Sequence, residues 1–182
     1  MSGARAPVTL DDAWLNDRTE FQRNFVHGLS NPHGLHIQYR LERLEGDADP
    51  RSSLPPHRVV GEWVPDPLLH VGFPGVTHGG LISAVLDDVM GRSTTLLRLW
   101  TVTGRLEVRY RGPAPAGTPL RVEGWMTGLR RRMVSACGRL LLPGGGTVAE
   151  ASATYLPLTP ALERQMVERW PGFAAYLGDG AV

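Results

Sequence analysis

Lysine is absent from this 182-residue sequence: every cation in its Lys+Arg count of 19 is an arginine. We read that as a coding bias of the kind a GC-rich genome imposes, ahead of any functional choice. Cysteine occurs once, at Cys137, which excludes an intrachain disulfide framework and suits a reducing compartment. Charge of one sign is also lacking. Nineteen cations against 18 anions leave a net +1, so nothing global draws the chain to nucleic acid or an acidic surface. No apolar run approaches membrane-spanning length, and Met1 to Asp12 contains no apolar signal core, so a cytoplasmic location is the expectation. The 42% apolar and 20% charged fractions are those of an ordinary globular chain with a real core.

What is present centres on residues 72–92, Gly-Phe-Pro-Gly-Val-Thr-His-Gly-Gly-Leu-Ile-Ser-Ala-Val-Leu-Asp-Asp-Val-Met-Gly-Arg. The stretch opens as a Gly/Pro turn. It then carries apolar residues at 81, 82, 84, 85, 86, 89 and 90, which leaves almost no polar face and predicts a buried helix extending to about Leu97. Before it, residues 10–29 predict an amphipathic helix and 28–34 a turn. Strands are expected at 35–44 and 58–64. After it, alternating runs at 101–111, 119–129, 132–142 and 147–156 predict strands in an antiparallel meander. A short helix opens at Thr159-Pro160, with proline at its first position. The fold class is α+β: one long apolar helix packed on an antiparallel sheet of five or six strands, with an extra helix at each end. Residues 1–30 form the N-terminal tail and helix, 31–157 the main domain, and 158–182 the C-terminal helix and tail.

The paired acids Asp87 and Asp88 differ in what surrounds them. Asp88 has Arg92 four residues on, the spacing of a surface or rim ion pair. Asp87 has only Ser83 and Gly91 at that spacing and sits among apolar neighbours, which makes it the candidate general base or nucleophile. At the helix start, Gly79 and Gly80 leave backbone N–H groups bare, and amides plus dipole favour a developing negative charge. Asp87 follows His78 by nine residues, roughly 13–14 Å along a helix axis. An attacking group and an oxyanion donor must both come within about 3 Å of one carbonyl. One helix therefore cannot supply both, whereas two antiparallel copies can. The spacing predicts a two-fold dimer with two equivalent sites at its interface.

Gly-x-Pro-Gly-x-x-His-Gly-Gly with Asp nine residues after the His resembles the hot-dog-fold acyl-CoA thioesterases, in particular the PaaI-like branch. The likeness continues in Asn31-Pro32-His33-Gly34-Leu35, in Thr103 to Pro113 and in Glu150-Ala151-Ser152, and covers roughly residues 28–157. It implies a dimer or dimer of dimers that hydrolyses an acyl-CoA thioester, with no cofactor beyond the CoA of the substrate. By position it implies Asp87 as base or nucleophile and the Gly79 N–H as oxyanion donor, with Gly80 nearby. It also implies that His78 shapes the turn and that Thr103 orients the water or the acid. Asn31 would belong to the substrate site. Many relatives carry Asn six residues before the His, where this chain has Gly72.

Two other function classes compete with hydrolysis. A non-catalytic acyl-CoA-binding protein would keep the pocket without turnover, and a hot-dog hydratase or dehydratase would need a paired acid and His that are not evident. Arg130-Arg131-Arg132 falls at a strand-to-strand turn, where it reads either as a solvated loop or as a contact for CoA phosphates. His33 and His36 lack nearby carboxylates, so no metal site is expected. Cys137 lies in an alternating strand as a packed side chain, and no Gly-x-Ser-x-Gly elbow is present.

Overall fold

The alternating runs that follow the central helix become strands of one six-stranded antiparallel sheet. The computed structural model describes residues 15–16, 22–44, 54–131 and 133–174. In chain order the elements are β1 (Tyr39–Arg43), β2 (His57–Trp63), β3 (Val71–Phe73), β4 (Val76–Thr77), α1 (Gly79–Thr94), a 3-10 turn (Thr95–Leu97), β5 (Thr101–Tyr110), β6 (Leu120–Arg130), β7 (Met133–Leu141), β8 (Thr147–Pro157) and α2 (Pro160–Arg169).

The strand order is β1-β2-β6-β7-β8-β5. Only β6, β7 and β8 form the expected meander; β5 does not neighbour β6 but pairs with β8 at the far edge. The β5–β6 link, Arg111–Pro119, explains the departure. It holds Pro113, Pro115 and Pro119, which suit no tight hairpin, and Ala114 O accepts from Thr77 N (2.8 Å), tying the link beneath β4. Its nine residues easily span the three strand spacings, roughly 14 Å, from β5 back to β6.

Two further expectations change. The first strand begins at Tyr39 rather than Leu35. His36 takes a left-handed φ of 55°, and Leu35 N and Ile37 N donate instead to Phe25 O and Val26 O (2.8 and 3.0 Å). Most of the N-terminal helix expected at 10–29 lies outside the described residues. Over its last part, Gln22–Leu29, the chain makes turns. There Asn24 Oδ1 accepts from the amides of Val26 and His27 (2.7 and 3.2 Å), an Asx arrangement that competes with helix. The Pro74-Gly75 turn is present, with Gly75 at φ 74°, but it is flanked by the short β3–β4 pairing.

α1 buries Ile82, Val85, Leu86, Val89 and Met90 against one face of the sheet, each contributing about 1.5–3 kcal/mol by burial. The sheet receives the helix through small residues. Gly124 pairs with Gly138, and Gly138 with Ala151. A Cβ on Gly124 would lie 2.7 Å from Val89 O, so the helix backbone rests directly on β6. This seating fixes how deep α1 sits and therefore which of its side chains reach β5 and β8.

Candidate active site

The start of α1 is built by His78. Its backbone is extended (φ −64°, ψ 129°), and its Nδ1 accepts from Gly80 N (2.9 Å), which makes it the N-cap. Of the first two helical amides, Gly80's is therefore occupied. No acceptor among the described residues takes the Gly79 N–H. Tyr110 Oη donates to Gly79 O (2.8 Å) and lies 2.7 Å from Ser83 Oγ, so β5 braces the same turn. Gly72 packs on this cap: a Cβ there would sit 3.2 Å from the His78 ring.

Asp87 lies eight residues beyond Gly79, roughly 12 Å along the axis, and is half-buried. Thr103 Oγ1, from β5, donates to its carboxylate (2.9 Å to Oδ1, 3.2 Å to Oδ2). Tyr155 Oη, from β8, donates to Asp87 O (2.8 Å) and to Oδ1 (3.0 Å). Thr103 and Tyr155 are register partners, which is why two strands deliver donors to one acid. Burial, and then the Asp87 charge and hydrogen bond, push the Tyr155 hydroxyl well above its ordinary pKa, so it remains a donor. Both donors favour Oδ1, which leaves Oδ2 the freer oxygen for a water or a carbonyl carbon.

Asp88 is not a rim ion pair. Its side chain is 13% exposed and faces the buried His27, whose Nδ1 lies 3.1 and 3.0 Å from the two carboxylate oxygens. Tyr39 Oη donates to Oδ2 (2.8 Å), and the buried Arg92 guanidinium meets His27 Nε2. Burial acts to raise the Asp88 pKa, but the hydrogen bonds from His27 and Tyr39 and the Arg92 charge outweigh it and hold the carboxyl below its usual value. Asp88 therefore ties α1 to the 22–39 segment. Asp87 and Asp88 both border a cavity of about 250 Å³ between the C-terminal half of α1, the start of β5 and α2. Among the described residues no group of three or more His, Cys, Asp or Glu side chains is arranged to hold a metal ion.

Residues 74–149 match the family model of the thioesterase superfamily. The antiparallel sheet packed on one central helix is the hot-dog fold, and the matched stretch is similar to the thioesterase superfamily. A curated relative, the acyl-coenzyme A thioesterase THEM4 of Xenopus laevis, is 29% identical over 104 residues, which is 57% of this chain and 46% of that protein. The chain thus spans about half the length of the curated relative it matches. Among solved structures, a thioesterase superfamily protein superposes with a TM-score of 0.61 at 22% identity, covering 85% of this chain and 70% of its own. The PaaI protein of E. coli, from the phenylacetic acid degradation operon, gives 0.53 at 14% identity, covering 56% of this chain and 73% of its own. These structures share the fold.

The residues expected at the site fall into two groups. Asp87 and Thr103 are in direct contact, and His78, Gly79 and Gly80 form the capped turn at the other end of α1. Asn31 spends its side chain on its own turn: Oδ1 accepts from His33 N (3.0 Å) and Nδ2 donates to Arg23 O (3.2 Å). Arg130 and Arg131 are exposed at the β6–β7 turn, with Arg131 at φ 56°; Arg132 lies outside the described residues. Neither of the first two lines the Asp87 cavity. They do occupy the same end of the sheet, because Leu129 pairs with Val134, Val134 with Tyr155, and Tyr155 with Thr103. No helix among the described residues is long and apolar enough to cross a membrane.

Sequence reasoning missed Tyr155 and His27. Tyr155 carried a signal: Ala151, Ala153 and Tyr155 alternate on the buried face of β8, and a buried tyrosine seeks a partner for its hydroxyl. His27 carried none, since it stands 61 residues before Asp88 in an irregular segment.

Proposed function

We propose that this chain hydrolyses an acyl-CoA thioester at a site shared by two antiparallel copies, with Asp87 of one copy facing the Gly79 amide of the other. The observation that carries the reading is the Asp87 carboxylate held by Thr103 and Tyr155 at the mouth of a cavity. The uncovered Gly79 amide complements it. Its separation of roughly 12 Å along the same helix is too large for one protomer to serve one carbonyl. The curated relative's name, an acyl-coenzyme A thioesterase, supports the substrate class.

In the general-base form, Asp87 takes a proton from water as the hydroxyl oxygen adds to the thioester carbon. The Gly79 N–H and the helix dipole stabilise the oxyanion. The tetrahedral adduct collapses with cleavage of the C–S bond, and the departing CoA sulfur receives the proton. In the nucleophilic form, Oδ2 adds to the carbon, CoA leaves, and water then cleaves the mixed anhydride. Single turnover in 18O water tests the nucleophilic form, because label in the Asp87 carboxyl requires an anhydride cleaved at the aspartyl carbon, whereas water added directly to the thioester carbon labels only the released acid.

Self-association is supported by β5, a 10-residue strand at the edge of the sheet with no partner on its outer side among the described residues. Such an edge is a template for another strand. The Arg130-Arg131 turn, at the same sheet end as Thr103, is then the cationic element available to CoA phosphates. The test is release of free CoA from a panel of acyl-CoAs. Asp87→Ala should reduce kcat by about 10²–10⁴-fold with an unchanged circular dichroism spectrum. Equal turnover by the variant and the wild type would sink the mechanism, and binding without release by the wild type would favour the non-catalytic reading.

A further inference from the structure

The cavity beside Asp87 is lined in part by residues that lie outside the family-matched region. Met166 comes from α2 and Phe173 from just beyond the turn that follows it; Leu99, Trp100 and Leu158 complete an apolar wall. This segment is tied to the sheet at its start and held in shape by local bonds beyond it. Leu158 N donates to Trp100 O (2.8 Å), Thr159 Oγ1 accepts from Leu162 N (3.2 Å) as the N-cap, and Phe173 N donates to Trp170 O (2.8 Å). On α2, only Glu163, Met166 and Val167 are half-buried; the other residues are exposed. The helix therefore lies over the cavity without entering the main core.

We propose that α2 and Phe173 are the distal wall of the acyl pocket and limit it to short and medium uncharged acyl groups, aliphatic or aryl. The proposal rests on the thioesterase reading. Polar groups bordering the cavity are engaged with one another. Asp88, His27 and Arg92 form one cluster, and Thr94 Oγ1 lies 2.8 Å from Gly91 O and 2.9 Å from Thr101 Oγ1. What they leave for a ligand is an apolar surface, which would desolvate a charged acyl tail without compensation. The volume of one protomer's cavity gives the scale of the group it takes. About 250 Å³ holds on the order of eight water-sized groups at ~30 Å³ each, and it falls below the ~300–1,000 Å³ of pockets for drug-sized ligands.

The experiment compares kcat/KM of the full chain over a ladder of acetyl- to palmitoyl-CoA, with phenylacetyl-CoA added. The wild type should decline beyond about eight carbons. Met166→Ala/Phe173→Ala should move the optimum two to four carbons longer, and Met166→Trp should move it shorter. An unchanged ladder in both variants, or the same loss at every length, overturns the wall. Wild type that releases no CoA from any thioester overturns the proposed function instead. In that event the wall is read by the affinities of non-hydrolysable acyl-CoA thioethers over the same ladder, where an identical profile in wild type and variants overturns it.

Discussion

At the residue scale, the two adjacent acids exchange the surroundings their sequence neighbours imply. Asp87, flanked by apolar residues, is the half-open one held by Thr103 and Tyr155; Asp88, flanked by Arg92, is the enclosed one. Asp88→Asn should therefore destabilise the fold by about 2–4 kcal/mol at pH 7, because His27 and Arg92 stay buried with their acid neutralised. The pH dependence has a fixed sign. A carboxyl whose folded pKa is depressed contributes its full stability above the unfolded value of about 3.9 and loses it as pH falls through the folded value. The gap between Asp88→Asn and wild type should then close below about pH 4. Urea midpoints across pH 3–7 check this, and equal midpoints at pH 7 would show the cluster contributes nothing.

At the scale of elements, the active geometry depends on how deep α1 sits in the sheet. The contact is backbone on backbone at Gly124, where a Cβ would meet Val89 O at 2.7 Å and Met90 N at 2.9 Å. Neither is the end of a flexible side chain, so the helix must lift. Gly124→Ala should cost about 1–3 kcal/mol, or several degrees in Tm for a chain of this size. Gly128→Ala, on the same strand with only Ser135 nearby at 3.8 Å, should stay within about 0.5 kcal/mol. Thermal melts of the two variants decide; similar Tm values would mean the helix seat tolerates a methyl group. Because Thr103 and Tyr155 reach Asp87 from strands, lifting α1 should also depress turnover in Gly124→Ala.

On the scale of the whole molecule, the proposed chemistry needs a second copy. Gly79→Pro removes the amide N–H while keeping a helix start. Proline is favoured at the first helical position, the preceding His78 is already extended at ψ 129°, and the Tyr110 ring at 3.4 Å from a Cβ leaves ordinary contact distance. Gly79→Pro and Asp87→Ala should each be nearly inactive alone, the former by about 10²–10³-fold. Refolded together in equal amounts, half the dimers are mixed and each mixed dimer regains one intact site, so about a quarter of wild-type activity should return. No recovery, with mixed dimers demonstrated by mass spectrometry, would place both groups in one protomer's site and end the shared-site reading.

By itself the sequence determined what local spacing can express. Apolar periodicity marked α1, alternation marked β6 to β8, and the His-Gly-Gly turn marked a capped helix start. The nine-residue gap from His78 to Asp87 converts directly into a length along a helix, because the rise per residue is constant. Tertiary structure alone decided the rest. Whether β5 joins β6 or β8 depends on where the Pro113–Pro115 link is tied, and the His27–Asp88 contact joins residues 61 apart through an irregular segment with no period to read. The cavity wall at Met166 and Phe173 likewise exists only once α2 folds back over β5 and β8. Pattern reports which side of an element faces inward; what stands opposite is set by packing between segments far apart in the chain.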